Sequence, residues 1–148
     1  MASQSSFSAQ VSAWVAETKG RAKAVRDESA QRVIEVMQTP VGAGGNLPVD
    51  TGFMRASLLA TTGEVNFVAR GRPDGGGRYA YDGGHVSLVI AGADLNDTIT
   101  AVYTANYARH VEYGARGRPG RRFVALAAQQ WARIVSEVAA EAQSRAVA

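Results

Sequence analysis

The residues in this chain best suited to recognition chemistry are arginines. Arg116, Arg118, Arg121 and Arg122 fall within ARGRPGRRF (115–123), and its core, Arg-Gly-Arg-Pro, also occurs at Arg70–Pro73. A guanidinium is permanently charged and presents a planar fork of donors that fits phosphates and carboxylates. An extended Arg-Gly-Arg also fits the narrow minor groove of DNA, where negative potential is concentrated. Arg121 and Arg122 strengthen the second copy, whereas Asp74 offsets the first, formed by Arg70 and Arg72. The first copy opens a glycine-rich loop, 70–85, that also carries Arg78, Tyr79 and Tyr81. Four residues make a weakly specific pattern, so solvated loops that meet a partner are the plainer reading. Pro119 supports it for the second copy, because a proline just ahead of a helix fixes the path into it and leaves the arginines facing outward.

Other reactive groups do not converge. The only histidines are His85 and His110, and neither falls in a spacing that would gather three or four metal ligands. Ser57 lacks a nucleophile-elbow context. VGAGGNLP (41–48) has no following Gly-Lys-Ser/Thr and reads as a flexible connector, not a phosphate-binding loop. His110 and Glu112 read as surface or interface polar groups, and Asp50 as a helix cap. The expectation is a non-enzyme with no catalytic, cofactor or metal site. The sequence has no cysteine, which excludes disulfides and thiolate chemistry and suits assembly in a cytosol. A net charge of +3 permits contact with nucleic acid or an acidic protein surface and demands neither. No apolar run approaches the roughly 20 residues of a membrane span, and the N-terminus lacks the pattern of a signal peptide.

These groups must be positioned by a framework of alternating periodicities. Phe7, Val11, Trp14, Val15, Thr18, Ala22, Val25, Val33, Val36 and Met37 recur at steps of three and four. That spacing predicts one helix from about Ser5 to Gln38 with a single apolar stripe, weakened at Gly20 and ended by Thr39-Pro40. Asp50 or Thr51 is expected to cap a short helix running to about Ala60. Glu64–Ala69 reads as a strand. Val86–Ala91 and Thr98–Thr104 read as two more, joined as a hairpin by the GADLND turn. Asn106–Tyr113 reads as a short helix with Gly114 as a left-handed terminator. Arg122 to about Ser144 reads as a second long helix, with Phe123, Leu126, Ala127, Trp131, Ile134, Val135 and Val138 as its apolar stripe. The whole chain, 1–148, is read as one α+β domain: a small antiparallel β-sheet packed by a long N-terminal and a long C-terminal helix, with short helices between.

Three blocks in order carry a resemblance: LPVDTGFMRASL (47–58), YTANYARHVEYG (103–114) and RPGRRFVALAAQQW (118–131). Together they resemble the HK97 gp10-like family of tailed-bacteriophage neck and tail-completion proteins. Its motif residues fall here on Pro48, Val49, Asp50, Thr51, Gly52, Arg55 and Ser57, then Tyr107, Val111, Glu112, Tyr113 and Gly114, then Arg122 and Phe123 with Ala127 further along. Where the family has proline beside the phenylalanine, this chain has Arg122. The resemblance implies a structural virion protein of the head–tail junction, assembled in the bacterial host cytoplasm. It implies a homo-oligomeric ring, sixfold in many relatives, around the DNA channel, with connector and tail proteins as neighbours. The arginine loops would then touch adjoining subunits or make nonspecific contact with DNA in the channel. A tail-terminator protein capping the tail tube is the alternative within that class, and a DNA-binding protein using its RGRP arms the alternative outside it.

Overall fold

In a computed structural model, residues 6–71 and 77–147 are described. Arg72 of the first RGRP copy lies outside them. Helix α1 (Phe7–Gln38) begins where the Ser6 hydroxyl accepts from the Ala9 amide at 3.2 Å. It runs through Gly20 without a break and stops at Thr39, whose extended backbone leads into Pro40. The glycine-rich segment that follows folds as a 3₁₀ turn, Val41–Ala43. It is closed by amides of Val41 and Leu47 that bond back across the loop at 2.9 and 3.3 Å.

The order continues with α2 (Phe53–Ala56), β1 (Leu58–Thr62), α3 (Gly84–Gly92), β2 (Ile99–Tyr103), α4 (Ala108–Tyr113), β3 (Gly114–Ala115), β4 (Arg118–Pro119), α5 (Phe123–Gln129) and α6 (Trp131–Val147). The class is α+β, as expected, with β1 and β2 forming an antiparallel pair and β3 and β4 a second, smaller one. Leu58 faces Tyr103 and Thr62 faces Ile99 across the main pair. α1 packs along α6, α5 and α3. Ala30, Ile34 and Met37 of α1 are buried with Leu58, Ile90 and Ala127. A second cluster joins Leu47, Met54, Ala105, Ala108 and Phe123 beneath α2 and α4. Among the described residues no helix is long and apolar enough to cross a membrane.

Several elements differ from the sequence expectation. Val86–Ala91 is helical, not a strand. Val86 and Ile90 are buried at 1% and 2% while Leu88 is 77% exposed, a four-residue burial period that a strand would reverse. Asp82 starts this helix by accepting from the Gly84 amide at 2.9 Å. The hairpin partner of β2 is therefore β1, and residues 64–69 form no strand. The expected helix to Ala60 stops at Ala56, because Leu58 and Leu59 pair with β2. Its cap position is Gly52, not Asp50 or Thr51; Thr51 contributes only a 3.3 Å bond from the Phe53 amide. The last long helix is two, since the backbone bond tightens to Gln130 N–Ala127 O at 3.0 Å. Gly114 has φ 92 and ψ 158, outside the left-handed helical region. Pro119 sits in β4 and not at the start of α5.

Candidate assembly surface and arginine groove

The second RGRP copy is a closed hairpin. Ala115 pairs with Arg118 and Gly114 with Pro119, and the two residues between, Arg116 and Gly117, have φ 52 and 77. Positive φ at both central positions matches the right-handed twist of the flanking strands in a tight two-residue turn. Arg116 and Arg118 are thereby held at an exposed tip. Gly114 has no room for a side chain, since a Cβ there would lie 2.5 Å from the Arg118 carbonyl oxygen.

Glu112 fixes this hairpin to α5. Its carboxylate accepts from the Val124 and Ala125 amides at 2.9 and 3.0 Å, satisfying first-turn donors that would otherwise be unpaired. Its carbonyl accepts from the Arg122 amide at 3.1 Å. Glu112 is buried, which corrects its reading as a surface or interface group. Arg122 occupies the position before α5 with φ 54 and ψ 29, and its guanidinium lies 5.7 Å from the Tyr113 ring centre. A proline, as the resembled family carries there, holds φ near about −65° and could not adopt this backbone. Phe123 is buried and meets Tyr103 edge-on at 5.1 Å.

Beside the hairpin lies an open groove of about 1020 Å³ lined by Pro48, Tyr107, His110, Arg116, Arg118 and Arg121 among others, with no carboxylate among its described lining residues. A 690 Å³ extension continues along Pro48–Arg55, where Asp50 contributes the acidic side chain. Clustered cations in an open cleft raise the local concentration of anions. The arrangement suits a phosphate backbone or an acidic protein patch.

The first copy has a different setting. The Arg70 amide donates to the Thr104 carbonyl at 2.6 Å and its own carbonyl accepts from Asn106 at 2.9 Å, so its backbone is tied to the end of β2. Neither Arg70 nor Arg78 lines the arginine groove. Tyr79 packs edge-on against Phe53 at 5.1 Å, and its amide donates to the Thr51 carbonyl at 2.8 Å. Gly52, at φ 85, admits this approach: a Cβ would lie 2.3 Å from the Tyr79 carbonyl oxygen.

Arg55 and Tyr81 belong to a network that the sequence did not disclose. The Gln38 amide nitrogen donates to the Arg55 carbonyl, and Arg55 Nε to the Gln38 carbonyl, both at 2.9 Å. The Tyr103 hydroxyl donates to Gln38 Oε1 at 2.6 Å, while the Arg55 guanidinium lies 5.2 Å from the Tyr81 ring centre. Burial pushes the Tyr103 phenol well above its ordinary range and, less strongly, that of Tyr81. Ser57 is buried, donating to the Met54 carbonyl at 2.6 Å and accepting from the Ala105 amide at 3.1 Å. His85 sets its ring nitrogens 3.0 and 3.1 Å from the Asp82 and Leu58 carbonyl oxygens. The described residues contain no His, Cys, Asp or Glu group arranged to hold a metal.

The largest departure from expectation is at the start of α1. Every residue from Phe7 to Ala22 is exposed, including Phe7 at 82% and Trp14 at 65%. Of the stripe assigned from periodicity only Met37 is buried, with Val25, Val33 and Val36 half-buried, and the residues α1 buries besides Met37 are Ser29, Ala30, Ile34 and Gln38. The first half of the stripe leaves its apolar side chains exposed, a property periodicity cannot reveal. Comparison with protein-family profiles, curated proteins and solved structures gives no match to this chain.

Proposed function

We propose that the protein is a structural virion component of the head–tail junction of a tailed bacteriophage, a neck or tail-completion subunit that forms a ring around the DNA channel and joins tail to head. The exposed half of α1 carries this reading: two aromatic and two valine side chains on a bare helix call for cover by another protein surface. The ordered blocks of the resemblance support it, and the residues they mark have structural work in this chain. Gly52 admits Tyr79, Arg55 joins Gln38, and Glu112 caps α5. The proline position at Arg122 departs from the family in backbone as well as in residue type.

The arginine groove favours a contact role in that assembly, with acidic patches of a neighbouring subunit or with DNA phosphates in the channel. As a closed turn, the copy at 116–119 does not have the extended form that a minor-groove arm requires. A tail-terminator role uses the same surfaces at a different level of the particle.

Light scattering and native mass spectrometry test the reading, on the protein alone and mixed with the phage's connector and tail-tube proteins. Closed rings or a stoichiometric complex are expected. Persistent monomers in both samples would overturn it.

A further inference from the structure

Two apolar surfaces of this chain lack cover among the described residues. One is convex: Phe7, Val11, Trp14 and Val15 on the first turns of α1. The other is concave: a groove of about 490 Å³ walled by Ala30, Val33, Met37, Ile99, Ala128 and Trp131. Trp131 stands in it 42% exposed.

The convex surface cannot fill the groove of its own chain. α1 is unbroken from Phe7 to Gln38, so its first turns extend away from the groove that begins at Arg26. Phe7–Ala22 is a rod of about 24 Å at the rise of an α-helix. At the end of the overhang Lys23 and Arg26 reach the Ala91 and Ala93 carbonyls at 3.1 and 2.8 Å. We infer that successive copies join head to tail, the overhanging start of α1 in one copy lying in the groove between α1, β2 and α5 of the next. This rests on the ring reading and supplies its contact.

Charge agrees with that seating. Glu17, Lys19 and Arg21 give the overhang's polar flank a net charge of +1 (two positive, one negative). At the Arg26 end of the groove, Lys23 and Arg26 both pair with Asp27, and Arg26 also donates to the Asp94 and Asp97 carbonyls. Counting Asp27, Asp94 and Asp97 against Lys23 and Arg26 gives this end a net charge of −1. Area sets the strength. Aromatic side chains bury about 150–250 Å² each, so Phe7 and Trp14 with the two valines offer on the order of 400 Å², and both partners together about 800 Å². That is below the roughly 1,200 Å² of stable pairwise complexes. A single contact is therefore weak, and closure of a ring, in which each copy is held twice, makes it persist. Unlike surfaces that pair in this way generate rings or filaments and not twofold dimers.

The absence of cysteine makes the test direct. Trp14→Cys and Ala128→Cys are mixed in equal amounts and oxidised. A covalent dimer with one copy of each is expected, as is a ladder from the double variant. Trp14→Cys joining chiefly to itself would indicate symmetric helix pairing and overturn the contact. In parallel, Trp14→Glu is expected to raise the concentration needed for oligomers at least tenfold with its thermal midpoint unchanged. If Trp14→Glu assembles like the parent protein, the head-to-tail contact is wrong while the ring reading survives. A parent protein that stays monomeric alone and with its neighbours sinks both.

Discussion

The two halves of α1 have the same periodicity and opposite fates. From Phe7 to Ala22 every side chain is exposed; from Ser29 to Gln38, five are buried. The boundary lies at Lys23–Arg26, where the cations reach the Ala91 and Ala93 carbonyls at the C-terminal end of α3. Beyond it the helix gains α3, α5 and α6 as neighbours. The difference shows that an amphipathic stripe specifies a surface that needs cover and is silent on who supplies it. In the later half the cover is this chain. In the earlier half no described residue of this chain supplies it, and an isolated helix of about this length is only marginally stable in water.

Removing one aliphatic side chain from each half is the most forceful way to break that comparison. Ile34 is 6% exposed within the main cluster, so Ile34→Ala leaves a cavity and should destabilise by about 2–5 kcal/mol. Val11, 43% exposed, should change monomer stability by less than about 0.5 kcal/mol as Val11→Ala. Denaturant titration at low protein concentration, where assembly does not contribute, measures both. Equal losses would mean that the first half is packed after all.

How much of this was legible follows from where the information resides. The long helices were readable because Val33, Val36, Met37, Ile134 and Val138 repeat at helical spacing whatever surrounds them, although Ile34, a buried core residue of α1, fell outside the stripe read from that spacing. Helix α3 was not. Val86, Leu88 and Ile90 satisfy a strand alternation as well as a helix, and the exposure of Leu88 that decides between them is set by distant packing. The pairing of β1 with β2 was missed for the same reason: Leu58 and Leu59 fit the end of a short helix until β2 takes them. At the arginine site, the charge was legible and the turn was not, since Arg116 at positive φ departs from the Asn-Gly and Asp-Gly signals of tight hairpins. Gln38 gave no signal, because a glutamine ending a helix is usually solvated. Its three bonds come from residues 17 and 65 positions away.

A subtler probe sharpens the comparison at the buried end of α1, where Tyr103 donates to Gln38. Burial raises the Tyr103 phenol above its ordinary value of 10.0. The unfolded chain therefore ionises first as pH rises, releasing a proton that the folded state retains. The stabilisation is complete below about pH 10 and should be lost above it, by about 1.4 kcal/mol per pH unit for this one group. Tyr103→Phe lowers stability at neutral pH by about 0.5–1.5 kcal/mol through the lost bond. It should also flatten the alkaline slope between pH 10 and 12 by close to one proton. An unchanged slope would show that Tyr103 is solvated and that this end of α1 is less sealed than its bonds suggest.

The smallest effect is expected where α6 meets α1 in solvent. Arg32 donates to both Glu141 oxygens, at 3.1 and 2.6 Å, and to Glu28 at 2.9 Å. The hydrogen bond from Arg32 holds the Glu141 carboxyl below its ordinary 4.5. A depressed carboxyl contributes stability above the unfolded value and loses it as pH falls through the folded one. Glu141→Gln should therefore narrow the difference in stability between pH 6 and pH 3, leaving the acid end nearly unchanged. Because the pair is open to water, 0.5 M salt should remove much of that difference in the parent protein and little in the variant. The overhanging half of α1 has an ion pair too, Glu17–Arg21 at 2.5 Å, but it lies within one helix and joins no second element. Glu17→Gln is expected to leave the thermal midpoint at neutral pH unchanged, because an exposed pair within one helix adds little. If Glu17→Gln and Glu141→Gln lowered that midpoint equally, the covered half would have no electrostatic tie to α6 beyond what a lone helix supplies.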